Sequence, residues 1–170
     1  ELNRYRATRP SGDKHHLRHC DTLANACSPM MLYGVPVAKM FFVLAPLLLE
    51  ANVNLPPVRK TASPCTCVEA YPALVVKALW DGKPPPYKSD TRSKQTADKE
   101  DARATLIHHL QTGVLTEQYG LRVCPSYLDQ TCITDSTGDA LDALFACLQA
   151  AWAAQQADSG IPADVDALEG

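Results

Sequence analysis

Residues 138–154, GDALDALFACLQAAWAA, form a nearly continuous apolar run. Its length and its content of Ala and Leu predict an α-helix. From Ala143 onward this helix would be apolar on every face, which is typical of a helix surrounded by other layers of structure. The charged residues of the run are Asp139 and Asp142, and both fall in the first turn of the predicted helix.

These two carboxylates allow two interpretations. In the first, they belong to an ordinary helix start: Asp135 or Thr137 caps the helix, and the positive end of the macrodipole stabilises an acid such as Asp139 by roughly 0.3–1 kcal/mol. In the second, they hold a cation, because Asp139 and Asp142 are three residues apart, project within about 60° of each other and repel as like charges. The helix sequence leaves both interpretations open.

Helices and short strands are predicted to alternate along the rest of the chain. The predicted elements are, in order, a helix at residues 38–50, a strand at 65–71 (CTCVEAY), a helix from Pro72 through Trp80, an amphipathic helix over 97–113 with Ala102, Leu106, Ile107 and Leu110 on one face, and a brief strand at 132–135. Residues 81–96 contain three consecutive prolines and are predicted to be an exposed loop. This alternation predicts an α/β layered domain that is rich in helix and has an incomplete sheet.

The length of 170 residues fits one domain, which we predict to cover the whole chain. Within it, residues 1–29 are predicted to be an irregular basic segment and residues 158–170 an acidic tail. All sixteen Lys and Arg lie in residues 1–122 beside eleven acids, whereas residues 123–170 carry eight acids. This asymmetry fits either an ordinary protein with an acidic end, or a basic surface that faces an acidic site, as a phosphate-bearing substrate bound with metal ions requires.

The cysteines and one strongly apolar segment bear on the compartment. The seven cysteines are odd in number, mostly in apolar surroundings, and the chain start lacks a secretory apolar region, so we expect reduced, buried thiols in a cytoplasmic protein. Residues 30–49 have the apolar content of a membrane span, but Lys39 lies at their centre and Pro36 and Pro46 interrupt them. Because a charge at mid-bilayer is costly, we predict a loop followed by a short buried helix, and no membrane partner.

A third acid, Glu69, falls at the C-terminal end of the predicted strand, just before the turn into a helix. This edge is where α/β sheets collect functional groups, although a Glu at a strand end can also simply reach solvent. If Glu69 joins Asp139 and Asp142, the three carboxylates can hold divalent cations, because Mg²⁺ and Mn²⁺ prefer carboxylate oxygens. Two such ions can stabilise both the attacking and the leaving oxygen in phosphodiester cleavage.

Several segments are similar to one known family. CVEAYPALVVKAL, YKSDTRSKQ, DSTGDALDALFACLQAAWA and the terminal DALEG resemble the DUF429 family, whose members are predicted to be RNase H-like nucleases. The DALDA stretch also resembles the D-x-x-D-A helix of RuvC-type resolvases within that fold. The resemblance implies that Glu69, Asp139 and Asp142 are catalytic residues and ligands of Mg²⁺ or Mn²⁺. It further implies that Lys88 and Arg92, which match the basic loop of the family, contact the phosphates of a nucleic acid.

The chain departs from this family pattern at its start. RNase H-like domains open with a β-hairpin sheet whose first strand carries an essential Asp, and residues 1–29 do not resemble such a strand. We therefore expect a member that lacks the N-terminal strands. Without them, apolar helix faces would stay exposed unless a partner or a homo-oligomer covers them.

The segment KHHLRHC, with His15, His16, His19 and Cys20, has the composition of a zinc site. His15 and His19 would share a face if this segment were helical, because they are four residues apart. A second pair of ligands at C-x-x-C or H-x-x-H spacing is missing from the sequence, so an ordinary loop is the competing interpretation.

Two functions follow from these observations. The first is a metal-dependent nuclease of RNase H-like type that uses Glu69, Asp139 and Asp142. The second is a non-catalytic interaction or structural domain in which the acids only cap helices. A nucleotide-binding fold is not favoured, because the chain contains neither G-x-G-x-x-G nor a Walker loop.

Overall fold

Residues 1–34, 36–124 and 128–164 are described here from a computed structural model. The helices in these residues are α1 (Leu2–Thr8), α2 (His19–Ala24), α3 (Val37–Glu50), α4 (Pro72–Leu79), α5 (Ala97–Gln111), α6 (Val114–Tyr119), α7 (Leu128–Thr134) and α8 (Asp139–Ala153), with a short 3₁₀-helix at Arg92–Lys94. The β-structure of the same residues consists of two isolated bridges, Asn54 with Thr66 and Leu55 with Arg59. The chain is therefore rich in helix, as predicted.

The chain divides into two compact units. One unit contains residues 1–68 together with the described residues from Ile161 onward, and the other contains Glu69–Gly160. Helices α1 to α3 and both bridges belong to the first unit, and α4 to α8 belong to the second. All five residues to which the sequence assigns a catalytic or phosphate-binding role lie in the second unit.

The second unit has a core formed by one face of each of its helices. Pro72 occupies the first turn of α4, where its missing N–H costs no hydrogen bond. The predicted apolar face of α5 is confirmed, because all four of its residues are buried. The buried residues of the core are Val75, Val76, Leu79, Leu106, Ile107, Leu110, Leu115, Cys132, Leu141 and Phe145.

Helix α8 forms where predicted, but the expectation that it is buried on every face is wrong. Leu141 and Phe145, four residues apart on one face, are fully buried. Ala143, Cys147 and Ala150 are exposed. Small apolar side chains expose little surface, so a helix rich in Ala can keep an apolar sequence on a solvent-facing side.

Neither predicted strand forms a strand. In the segment CTCVEAY, Thr66 makes a single bridge to Asn54 and the other residues are irregular. The backbone of Asn54 makes this bridge, with its N–H donating to the carbonyl of Cys65 at 2.9 Å and its carbonyl accepting from the N–H of Cys67 at 2.9 Å. Its side chain holds the residues just before the segment, by donating to the carbonyl of Ser63 at 2.7 Å and accepting from the N–H of Thr61 at 2.6 Å. Residues 132–134, predicted as a strand, complete helix α7, since so short an apolar run fits either kind of element.

The first unit differs from the prediction in its burial. Residues 1–29 include two short helices, α1 and α2. Helix α3 matches the predicted helix at residues 38–50, but it is not a buried helix, because Ala38 is its one buried residue. Within the described residues, no helix has both the length and the apolar content that crossing a bilayer requires.

The cysteines are free thiols, and their burial was overestimated from the sequence. Cys27, Cys65, Cys124 and Cys147 are exposed, whereas Cys132 is buried in the core of the second unit. Burial raises the pKa of the Cys132 thiol, and the nearby carboxylates of Asp129 and Asp135 raise it further. Of the predicted acidic tail, residues 158–164 form turns and irregular structure, and residues 165–170 lie outside the described part.

Candidate functional site

The start of helix α8 is held by the carboxylate of Asp135. The backbone N–H of Ala140 donates to Asp135 Oδ2 at 2.9 Å, and the hydroxyl of Thr137 donates to Oδ1 at 2.6 Å. These hydrogen bonds lower the pKa of Asp135, because they stabilise its ionised form, and the bond from Ala140 has the largest effect. Asp135 therefore performs the capping role that the sequence allowed for it.

The basic loop of residues 87–92 lies against this helix start. The phenol of Tyr87 donates to Asp142 Oδ1 at 2.6 Å, and Lys88 Nζ forms an ion pair with Asp142 Oδ2. The N–H of Ser89 donates to the carbonyl of Ser136 at 3.2 Å. Three consecutive loop residues thus contact a segment about fifty residues further along the chain.

The approach of the loop to the helix is close enough to require glycine at position 138. A Cβ built on Gly138 would lie 2.7 Å from the Cβ of Lys88, and the backbone φ of this residue is +77°. Both the left-handed backbone and the missing side chain therefore favour Gly at the first position before α8.

A buried cation on α5 also positions the loop. Arg103, on α5, is 2% exposed. Its Nη1 donates to the carbonyl of Tyr87 at 2.7 Å, and its Nε donates to the carbonyl of Ile133 at 2.7 Å. Arg103 thereby connects α5 to the basic loop and to α7.

Sequence reasoning missed Arg103, although a signal was present. The residue lies three, four and seven positions before Leu106, Ile107 and Leu110, so it is on the apolar face of the amphipathic helix. A lone Arg within such a face indicates a buried guanidinium that must find hydrogen-bond acceptors.

Tyr87 is the link between Arg103 and the acid on α8. Burial raises the pKa of its phenol well above the ordinary range, and the hydrogen bond to Asp142 acts in the same direction. The phenol consequently stays protonated and keeps donating to Asp142 throughout the neutral and moderately alkaline range.

The structure brings some of the predicted site residues together. Asp139 is exposed at the first position of α8, and the side chain of Asp142, one turn further, is 21% exposed. Lys88 reaches Asp142, and Arg92 is exposed at the end of the loop, where the 3₁₀-helix begins. Glu69 is exposed in the irregular segment before α4.

These acids do not assemble into one set of metal ligands. Among the residues that the structure describes, no three His, Cys, Asp or Glu side chains are placed so that they could hold a metal ion. The arrangement present is an acid pair on one helix turn with a lysine and a tyrosine directed at the second acid.

The histidines near the chain start have separate partners. His15 Nε2 contacts the hydroxyl of Tyr33 at 2.5 Å, and His16 Nδ1 contacts the hydroxyl of Tyr5 at 2.6 Å. His19 pairs with Asp164 at 2.7 Å. His15 and His19 do not share a helical face, because α2 begins at His19 and residue 15 precedes it in a turn.

No curated protein and no solved structure matches this chain. The sequence model of one family, described as "Protein of unknown function (DUF429)", matches residues 5–167 and so includes every residue of the site. The resemblance to this family is thereby confirmed for the segments within these residues, and the chain belongs to the DUF429 family.

Proposed function

We propose that this chain is a divalent-metal-dependent nuclease of RNase H-like type, which hydrolyses phosphodiester bonds of a nucleic acid. The observation that supports it best is the contact between the basic loop and the acid-bearing start of α8, where Lys88 pairs with Asp142. A nuclease needs carboxylates for metal ions and cations for phosphates at the same place. The RNase H-like layered fold is part of this proposal and rests on the resemblance of the segments around these residues.

Asp139 and Asp142 suit Mg²⁺ or Mn²⁺ as ligands. Mg²⁺ is commonly bound through one or two carboxylates, with waters and substrate phosphates in the remaining positions. Asp139 is exposed and Asp142 is partly exposed on the same turn, so both can reach a hydrated ion. Glu69 would be the third acid in this proposal, but it is not clustered with the other two, so no step is derived through it.

When bound, the ion would neutralise charge on the scissile phosphate and acidify a water molecule. Lys88 and Tyr87 currently occupy the two oxygens of Asp142, so an ion must compete with the ammonium group. Lys88 released from Asp142 would be free to donate to a phosphate oxygen. Arg92, exposed four residues further along the loop, would donate to a neighbouring phosphate.

Free thiols at all seven cysteines fit a reducing compartment, and we propose the cytoplasm as the place of this activity.

Metal-dependent stability is the direct test. We expect MnCl₂ to raise the melting temperature of the wild-type chain by about 2–5 °C through preferential binding to the folded state. Asp142→Asn and Asp139→Asn should reduce this shift. The matched control is Asp98→Asn, because Asp98 and Asp101 repeat the same three-residue spacing at the start of α5. No shift in the wild type, or the same shift in all four proteins, would contradict the proposal.

Lys88→Ala separates the two roles assigned to the loop. Removing the ammonium should tighten Mn²⁺ binding, because Asp142 loses a competing cation, and should weaken binding to a short RNA or DNA oligonucleotide. Cleavage assays with single-stranded RNA, single-stranded DNA and an RNA–DNA hybrid then identify the substrate. A variant that binds metal and nucleic acid like the wild type would rule out Lys88 as a competitor and as a phosphate contact.

One observation favours a second candidate, a non-catalytic interaction or structural domain. Both oxygens of Asp142 already accept a bond within the protein, from Tyr87 and from Lys88, so this acid can serve as a structural clamp. In that case Asp142→Asn would destabilise the fold, Mn²⁺ would change no melting temperature, and no oligonucleotide would be cleaved.

A further inference from the structure

Helix α3 exposes an unusual amount of apolar surface. Its exposed large apolar residues, with exposed fractions between 51% and 76%, are Met40, Phe41, Phe42, Val43, Leu44, Leu47 and Leu49. At about 150–200 Å² for a fully exposed side chain of this size, they present on the order of 700 Å² to solvent. The largest apolar patch of a typical monomer is about 300–600 Å².

The exposed residues include a continuous stripe. Met40, Val43, Leu44 and Leu47 follow the i, i+3, i+4, i+7 spacing that places side chains on one helix face. The partly buried Ala45 lies on the other side of the helix, and the partly buried Leu48 lies beside Leu44 at the edge of the stripe. The stripe is therefore free to pack against another apolar helix.

The two charged residues of α3 are placed against its own macrodipole. Lys39 lies in the first turn, near the positive end, and Glu50 is the last residue, at the negative end. They are eleven positions apart, which at 100° per residue leaves them about 20° apart around the helix, on one edge of the stripe. Among the residues that the structure describes, neither forms an ion pair.

We propose that α3 is a self-association surface through which two copies of this chain pair with their α3 helices antiparallel. When a two-fold axis relates two antiparallel helices, a residue and its symmetry mate lie on the same edge of the interface but at opposite ends of the helix pair. Lys39 of one copy then lies beside Glu50 of the other, and the contact occurs twice. The antiparallel partner also brings its negative helix end to Lys39 and its positive end to Glu50, which corrects the unfavourable placement of both charges.

The stripe supplies part of the area that such a dimer needs. Its four residues expose on the order of 400 Å² of apolar surface, against about 800 Å² buried on each partner in a standard interface. A short helix with an apolar stripe and one charge of each sign at its ends is complementary to a reversed copy of itself. This inference concerns the first unit and does not depend on the proposed nuclease activity.

Sedimentation velocity of the full chain over a concentration series tests the proposal. We expect the wild type to be a dimer at micromolar concentration, and Val43→Glu to raise the dimer dissociation constant by about 100-fold or more, since a buried charge would face apolar side chains. The control is Leu23→Glu, which alters a similarly exposed apolar residue on α2 and should leave the dimer intact. Circular dichroism verifies that each variant keeps its helix content.

Charge reversal tests the antiparallel arrangement even if Val43→Glu misfolds. Lys39→Glu and Glu50→Lys should each weaken the dimer about tenfold, because the symmetric pair contains every altered contact twice, and the double variant should return to within about threefold of the wild type. Each single change improves the charge at its own helix end, so weaker association cannot reflect loss of α3. A wild-type monomer at high concentration overturns the proposal, as does a monomer that binds neutral phosphatidylcholine vesicles through α3, or a dimer that all these variants leave unchanged.

Discussion

Arg103 donates a 2.7 Å hydrogen bond to the backbone carbonyl of Tyr87, and the phenol of Tyr87 donates a 2.6 Å bond to Asp142. A buried guanidinium on α5 thus fixes the position of a loop residue whose side chain orients the acid on α8. The acid at the centre of the candidate site is therefore supported from the core rather than only from its own helix.

Arg103→Met tests this support. The substitution keeps an unbranched side chain but leaves the buried carbonyls of Tyr87 and Ile133 without their donor, so we expect the free energy of unfolding to fall by about 2–4 kcal/mol. Urea denaturation measures it. Lys94→Met, which alters an exposed cation in the 3₁₀-helix, is the control and should change stability by less than about 0.5 kcal/mol. Equal changes in unfolding free energy for the two substitutions would show that the hydrogen bonds of Arg103 do not stabilise the fold.

Tyr87→Phe removes one hydroxyl and keeps the ring. We expect a loss of about 1 kcal/mol at neutral pH, because Asp142 loses a donor. Since folding raises the pKa of this phenol, its stabilising contribution is complete below the ordinary Tyr pKa of about 10 and declines as the pH rises further. An alkaline absorbance titration should show one tyrosine that resists ionisation in the folded wild type and not in the variant. A full set of phenols titrating near pH 10 in the folded protein would contradict this.

Gly138→Ala should displace the basic loop. The added Cβ would meet the Cβ of Lys88 at 2.7 Å and would also force alanine to a φ of +77°. Gly82→Ala is a matched control, because Gly82 has a φ of +79° with nothing within 4 Å of its built Cβ. We expect the control to cost about 1–2 kcal/mol from backbone strain alone, and Gly138→Ala to cost about 1–3 kcal/mol more from overpacking. Identical losses of stability in the two variants would show that the loop moves away from the added Cβ without a further loss of unfolding free energy.

Asp135→Ala should weaken the start of α8 by about 0.5–2 kcal/mol at neutral pH, as expected for removal of a cap. The folded protein lowers the pKa of Asp135, so its contribution is complete above the ordinary Asp pKa of about 4 and is lost as the pH falls through the depressed value. The difference in unfolding free energy between wild type and variant should accordingly shrink toward zero in strong acid. Asp81→Ala, at an exposed turn, serves as the reference. A difference that stays constant with pH would exclude the carboxylate as its cause.

The sequence predicted elements better than it predicted contacts. The helices α3, α4, α5 and α8 were predicted because periodicity, Pro72 and helix-start residues act over a few neighbours. The strand predicted around Thr66 failed, because a strand needs a partner and the described chain offers only Asn54 there.

Burial and the site geometry depend on distant residues, so local patterns were less informative. The apolar composition of α3 and α8 was interpreted as full burial, whereas one is almost entirely exposed and the other is buried on a single face. The segments holding Lys88 and Asp142 were identified by family resemblance, but their direct ion pair spans 54 residues and follows from tertiary packing. Membership of the family is shown, and the metal-ligand role of Glu69, Asp139 and Asp142 stays a prediction.

The contrast between Cys132 and the other cysteines gives the protein a built-in reporter. Alkylating reagents attack the thiolate, so a thiol that is 4% exposed and has a raised pKa resists them, while the exposed Cys27 and Cys147 are labelled at once. Slow modification of Cys132, followed by mass spectrometry, would therefore time the opening of the second unit without any introduced probe.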